Sequence, residues 1–188
     1  MATIYLFRHG QTEFNRDKIF TGLKDLKLTP LGIEQAKKIA VLLKDKKIDY
    51  AYQTRLSRSQ ETLAEVLKFH PECQKIFIDD RMIERSYGDL AGISHKEVID
   101  KVGTDQYEKW HRGFYDTPPN GESLEKVGER VMDFIQYIKK KYSNTNLGIA
   151  VSAHGNSIRL FRKIMEKTTT EETCSWTIPF DQYFKFKI

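Results

Sequence analysis

Two apolar runs, each ending directly in a histidine and a glycine, constrain this chain more than any other feature. Ile4 to Phe7 leads into Arg8-His9-Gly10, and Leu147 to Val151 leads into Ser152-Ala153-His154-Gly155. A short, nearly continuous apolar run marks a strand covered on both faces, which is the environment of a parallel sheet between helices. Open sheets of that kind place ligands at the carboxyl ends of their strands. The two histidines therefore occupy equivalent positions, and pairing of the two strands would bring them side by side. Glycine after each lets the chain turn tightly and lets a ligand approach the backbone.

The intervening sequence alternates between short apolar runs and amphipathic stretches. Thr3–Phe7, Ile48–Tyr52, Lys75–Ile78 and Leu147–Val151 read as strands. Thr29-Pro30 is a helix start, with threonine as N-cap and proline at the first helical position, and its apolar residues run from Ile33 to Leu43. A second helix is expected from Ser57 to about Phe69, with Ser57 and Gln60 at capping-box spacing. Short helices are expected near Ser94 and over Asp105–Arg112, then a long one from Leu124 to Lys141 with apolar residues at Val127, Val131, Phe134, Ile135 and Ile138. Ile158–Met165 reads as a helix, and Ser175–Ile188 ends in an alternating edge strand. Gln11–Leu28 and Asp80–Gly92 read as irregular. The expected fold is α/β, a three-layer α/β/α arrangement with a mostly parallel central sheet. With 188 residues and no internal linker or repeat, residues 1–188 are expected to form one domain.

Composition excludes several classes. Hydrophobic content of 39% and charged content of 30% are those of a globular chain. No stretch approaches the ~20 apolar residues of a membrane span, and the N-terminus lacks a secretory pattern. Two cysteines, Cys73 and Cys174, fit a reducing compartment, so a cytoplasmic protein without membrane contact is expected. The net charge of +5 is spread along helices and loops. With no polybasic block or aromatic–basic interleaving, it suits a pocket for a small phosphorylated ligand better than nucleic acid.

Arg58 falls in the first turn of its helix, where a cation opposes the helix dipole. Either an anion sits beyond it or it makes a surface ion pair. His9, His154 and Glu84 could in principle ligate zinc, but Arg8 and Arg58 beside them favour an anion, so no metal is expected. Fixed cations around an imidazole suit phosphoryl transfer: a neutral imidazole attacks phosphorus, and a carboxyl group such as Glu84 handles the leaving group's proton. Arg85 and Arg159 could pair with carboxylates or add to the field of the pocket. Trp110 and Trp176 read as packing residues.

These motifs are where the chain resembles the histidine phosphatase superfamily, and within it the cofactor-dependent phosphoglycerate mutase branch. The blocks are Leu6–Asn15, Phe20-Thr21-Gly22, Leu56–Thr62, Glu84–Gly92, Trp110–Pro119 and Ala153–Arg159, in family order over nearly the whole chain. The resemblance implies that His9 becomes phosphohistidine, that Arg8, Arg58 and His154 hold the transferring phosphoryl, and that Glu84 gives and takes the proton. It places Asn15, Thr21, Gly22, Tyr87 and Arg112 at the substrate, and Asn156 near the phosphoryl pocket. The implied reaction is interconversion of 3-phosphoglycerate and 2-phosphoglycerate, a step of glycolysis and gluconeogenesis, primed by the cofactor 2,3-bisphosphoglycerate. The alternative is a phosphatase hydrolysing a small phosphate monoester through the same phosphohistidine. A homo-oligomer is possible in either case.

The chain departs from the mutase pattern at two substrate-contacting positions. His111 stands where a second arginine is usual, and His95 where a lysine is common, with Lys96 next to it as a substitute cation. Loss of two permanent charges bears on retention of a bisphosphate, which a mutase needs and a phosphatase does not.

Overall fold

The computed structural model describes every residue from Met1 to Ile188. The chain begins with β1 (Thr3–Arg8), a single-turn helix α1 (Glu13–Arg16), α2 (Pro30–Leu43), β2 (Tyr50–Gln53), α3 (Ser57–Leu67) and β3 (Lys75–Ile78). Two 3-10 turns, Asp80–Met82 and Gly88–Leu90, precede α4 (His95–Val102) and α5 (Thr104–Arg112). Then follow α6 (Leu124–Tyr142), β4 (Gly148–Ala153), α7 (Gly155–Glu166), α8 (Thr170–Ser175) and β5 (Tyr183–Lys187). The strands lie in the order β3-β2-β4-β1-β5. All pairings are parallel except β1 with the edge strand β5. No helix is long and apolar enough to cross a membrane.

The period-2 geometry of β1 explains why its whole run is apolar. Ile4 and Leu6 face one side, joining Ile149 and Val151 against Val131, Phe134, Ile135 and Ile138 of α6 and Ile158 and Phe161 of α7. Tyr5 and Phe7 face the other, joining Ala51 and Ala150 against Ile39, Ala40 and Leu43 of α2 and Leu63 and Val66 of α3. These two cores lie between the three layers. A fully buried side chain such as Phe134 contributes on the order of 2–3 kcal/mol. A third, smaller cluster of Phe20, Tyr87, Leu90, Val98 and Tyr107 lies apart from the sheet and carries α4 and α5.

Local expectations are met where capping chemistry is explicit and shifted elsewhere. Thr29 caps α2 by accepting from Gly32 N, with Pro30 at the first position. The Ser57–Gln60 capping box does not form. Leu56 is the N-cap of α3, and Asp25, from the loop between α1 and α2, accepts from both Ser57 N and Ser57 Oγ at 2.7 Å. A carboxylate at a helix N-terminus supplies the same satisfaction from a distance. Within the stretch expected to be irregular, Thr12 and Asn15 form a capping box around α1. Ladder pairing of β2 starts at Tyr50 rather than Ile48, because Asp49 is used as a buried acceptor for Gly148 N.

β1 and β4 are neighbours, in a register that puts Phe7 beside Ser152 and Arg8 beside Ala153. The next residues, His9 and His154, are therefore neighbours too, and His9 N donates to Ala153 O at 3.0 Å. From this edge the chain leaves β1 toward the α2–α3 layer and β4 toward the α6–α7 layer, opening a crevice between them. Gly10 permits the close crossing at its mouth: a Cβ there would lie 2.1 Å from Gly32 O.

Candidate active site

His9 and His154 are buried side by side, with ring centroids 5.0 Å apart and planes inclined by 56°. His9 Nδ1 lies 2.7 Å from Gly10 O. A carbonyl only accepts, so the ring proton sits on Nδ1 and the lone pair of Nε2 is free. Burial, with Arg58 and Arg8 nearby, holds His9 well below the ordinary imidazole range, so the ring is neutral near pH 7. His154 is displaced the same way by burial, then by Arg58, His9 and Arg8. Its Nε2 is 2.8 Å from Thr54 Oγ1, while its Nδ1 is buried without a partner.

Two guanidiniums flank this pair. Arg8, at the end of β1, donates to Ile178 O at 2.7 Å and stacks over the Phe180 ring at 3.9 Å. Burial brings its pKa down to about 10 against the opposing pull of Glu84. Arg58 is fully buried rather than paired at the surface, and donates to Lys24 O at 2.7 Å and Gly22 O at 2.8 Å. Those bonds fix the loop that carries Thr21 and Gly22. The Nε atoms of Arg8 and Arg58, like His154 Nδ1, are buried without protein partners. Three orphaned nitrogens around a neutral imidazole fit the oxygens of a phosphoryl group.

Glu84 lines the same cleft, held in the segment between the two 3-10 turns. Its Oε1 accepts from Arg85 N at 2.8 Å and Asn156 N at 3.2 Å, the latter at the start of α7. These bonds orient the carboxyl group and leave Oε2 outside any protein hydrogen bond. Arg85 forms no carboxylate pair. It is fully buried and donates to Glu122 O at 2.7 Å and Asp116 O at 2.9 Å, tying the 116–122 segment beneath Glu84.

The cleft extends about 160 Å³ from this centre. Of the residues anticipated from sequence, Arg8, His9, Asn15, Thr21, Gly22, Arg58, Glu84, Tyr87, His95, His111, Arg112 and Asn156 line it. His154 is not among the lining residues, but its ring stands beside that of His9. Asn15 spends its Oδ1 on the cap of α1, accepting from Thr12 N at 3.0 Å, so only its amide nitrogen remains for a ligand. Tyr87 is fixed by Asn156 Nδ2 at 3.2 Å.

Lys96 is a correction. It points to solvent and pairs with Asp100 on the outer face of α4, outside the cleft. Adjacent helix positions diverge by about 100°, so the helix that turns His95 inward turns Lys96 outward.

At the far end, His95 and His111 pack edge to face at 4.9 Å, with the Phe20 ring tilted against His95 at 4.3 Å. Tyr107 Oη lies 3.0 Å from His95 Nδ1. Burial, then Arg112 and His95, take His111 down to about 3, and burial with Lys18 and Arg112 lowers His95. Both rings are neutral at physiological pH. Permanent charge at this end comes from Arg112 and from Arg159, whose cleft position the sequence left open between an ion pair and the pocket. Arg112 donates to Trp176 O at 3.2 Å and Arg159 to the same oxygen at 2.8 Å. Thr54, Phe180 and the carbonyls of Trp176 and Ile178 had no sequence signal, since a backbone oxygen has no residue type.

The arrangement defines a class: an α/β enzyme with a neutral, cation-flanked histidine built to receive a phosphoryl group. The profile of the histidine phosphatase superfamily (branch 1) matches residues 4–181, and the chain belongs to that family. It is 34% identical over 172 residues to the 2,3-bisphosphoglycerate-dependent phosphoglycerate mutase of Cytophaga hutchinsonii, covering 92% of this chain and 81% of the relative. Its fold is that of the alpha-ribazole phosphatase from Shigella flexneri, with a TM-score of 0.84 at 24% identity over 99% of this chain and 90% of that one. The same holds for the phosphoserine phosphatase from Entamoeba histolytica in complex with 3-phosphoglyceric acid, with a TM-score of 0.81 at 22% identity over 99% and 90%. The protein is accordingly an enzyme of phosphohistidine chemistry that acts on small phosphate esters.

Proposed function

We propose that the protein is a phosphatase for a small phosphate monoester bearing a second anionic group, with His9 as nucleophile. His9 Nε2 attacks phosphorus, the ester P–O bond breaks, and Glu84 delivers a proton to the departing oxygen. Water then attacks the phosphohistidine, Glu84 receives its proton, and inorganic phosphate leaves with the P–N bond broken. Arg8, Arg58 and His154 carry the developing charge on the phosphoryl oxygens. Arg112 and Arg159 hold the distal anion of the substrate, with Asn15, Thr21, Gly22, Tyr87 and Asn156 shaping the space between.

The observation that carries hydrolysis over isomerisation is the neutral His95–His111 pair at the far end. A mutase must keep a bisphosphate in the cleft while it turns over, and two uncharged rings attract a second phosphoryl far less than two fixed cations do. With Lys96 turned outward, Arg112 and Arg159 are the fixed cations left at this end. The residues present fit 2,3-bisphosphoglycerate as a primer poorly for the same reason. The mutase reading, favoured by the motif pattern, keeps the support of the relative in Cytophaga hutchinsonii at 34% identity.

One assay separates them. The enzyme is given 3-phosphoglycerate with and without trace 2,3-bisphosphoglycerate, and 2-phosphoglycerate and inorganic phosphate are measured together. Phosphate release without isomer exchange is expected. Exchange stimulated by the bisphosphate would reverse the assignment. In parallel, His9→Ala should abolish acid-labile phosphoenzyme while the fold persists.

A further inference from the structure

We infer that Thr54 is a positioning residue that fixes the proton of His154 on the nitrogen facing the phosphoryl group. Thr54 follows the last residue of β2 and is completely buried. Its main chain is pinned on both sides: Thr54 N donates to Ser59 Oγ at 3.1 Å, and Thr54 O accepts from Gln60 Nε2 at 3.3 Å. The hydroxyl therefore has a fixed origin. It lies 2.8 Å from His154 Nε2, and it accepts from Leu56 N at 3.4 Å.

Counting protons leaves one arrangement in which the Leu56 N–H, the Thr54 hydroxyl and His154 Nε2 are all matched. A hydroxyl has one hydrogen to give and lone pairs to receive with. The Leu56 N–H supplies a donor to Thr54 Oγ1, and no acceptor other than His154 Nε2 is within reach of its hydrogen. If Nε2 carried the imidazole proton, Oγ1 would face two donors, its own hydrogen would have no acceptor, and Nδ1 would turn a lone pair toward phosphoryl oxygens. If Thr54 donates to Nε2, all three groups are matched and the imidazole proton stays on Nδ1. That atom is buried and has no protein partner, and its ring lies beside His9. His154 then offers a neutral N–H donor to a phosphoryl oxygen without adding another full charge next to Arg8 and Arg58. The main chain of His154 is held independently, His154 N donating to Ser157 Oγ at 3.2 Å, so the threonine governs the ring's proton rather than the turn. A ring that donates through one nitrogen because a neighbour occupies the other is a general device for setting tautomers.

The assignment rests on the phosphohistidine reading for its purpose, but its first test needs no substrate. Long-range proton–nitrogen spectra of ¹⁵N-histidine-labelled free wild type at pH 7.5 should show His154 protonated on Nδ1 with an unprotonated Nε2. Thr54→Val keeps the shape and removes the hydroxyl, and Thr54→Ser keeps the hydroxyl. Thr54→Val should lose the Nδ1–H signature and slow the burst of phosphoenzyme formation from para-nitrophenyl phosphate by about 10–100-fold. Thr54→Ser should retain the signature and remain within about threefold of wild type, a rescue that a packing role would not produce. Inorganic vanadate should bind Thr54→Val about tenfold or more weakly than wild type. An Nε2-protonated His154 in wild type overturns the inference, as does a Thr54→Val variant with a wild-type burst rate. If Thr54→Val fails to fold, the wild-type spectrum and Thr54→Ser still decide. Absence of any phosphoenzyme from wild type would instead overturn the reading of His9, leaving the tautomer result to stand by itself.

Discussion

Acidification from pH 7.5 to 5 should strip this protein of much of its stability, and the buried histidines set the size of the loss. An unfolded histidine takes up a proton near pH 6.5. In the folded chain His111 resists until about pH 3, and His9 and His154 are also held well below the ordinary value. As pH falls through 6.5 the unfolded state binds protons that the folded state refuses, so unfolding becomes easier. The contribution is fully present above that pH and shrinks below it, by about 1.4 kcal/mol per histidine for each pH unit. At pH 5, 1.5 units lower, His111 alone accounts for roughly 2 kcal/mol. His9 and His154, displaced in the same direction, add to that loss. Asp17, held low by its bond to Arg16, and Glu97, held low by its bond from Ser94, stay ionised through this window. Urea unfolding followed by tryptophan fluorescence, in amine buffers with chloride as the sole anion, measures the loss. His111→Gln should flatten the pH dependence by about 2 kcal/mol over the same range. A wild-type loss under about 2 kcal/mol, or an unchanged slope in His111→Gln, would refute the reasoning.

Glu84→Gln should slow turnover of alkyl phosphates by about 10²–10³-fold while sparing the nitrophenolate burst from para-nitrophenyl phosphate, whose leaving group needs no proton. Equal losses on both substrates would remove Glu84 from proton transfer. Arg85→Met should cost about 3 kcal/mol in urea titrations, because buried carbonyls of Glu122 and Asp116 lose their charged donor. It should also quicken amide exchange in the 116–122 segment. A change below about 1 kcal/mol would show that the segment is held by other contacts.

Much of this architecture is written locally. The doubly apolar β1 and β4, the Thr29-Pro30 start of α2 and the apolar spacing of α6 each follow from one period or one cap. The histidine pair was legible because equivalent strand ends converge in a parallel sheet. What escaped was set by tertiary partners. Asp25 replaced the cap expected from Ser57, an exchange no local window contains. α1 and α8 span 4 and 6 residues, too short to display a helical period. Lys96 looked like a stand-in for His95 along the sequence, but the Ser94 cap starts α4 in a phase that turns it away. Arg159 could not be assigned without knowing that Trp176 offers it a carbonyl.

The cleft arginines are moored to peptide and amide oxygens. Arg8 rests on Ile178 O, Arg112 and Arg159 share Trp176 O, and Arg58 spans Gly22 O and Lys24 O. Such an oxygen carries only a fraction of a charge, so it steers a guanidinium without neutralising it. The resting enzyme thus stores mutual repulsion among its cations, and an incoming anion relieves it; occupancy and thermal resistance should rise together. Since every residue type brings the same peptide oxygen, the exposed side chain at position 177 is free to vary and reshape the cleft wall while the moorings hold.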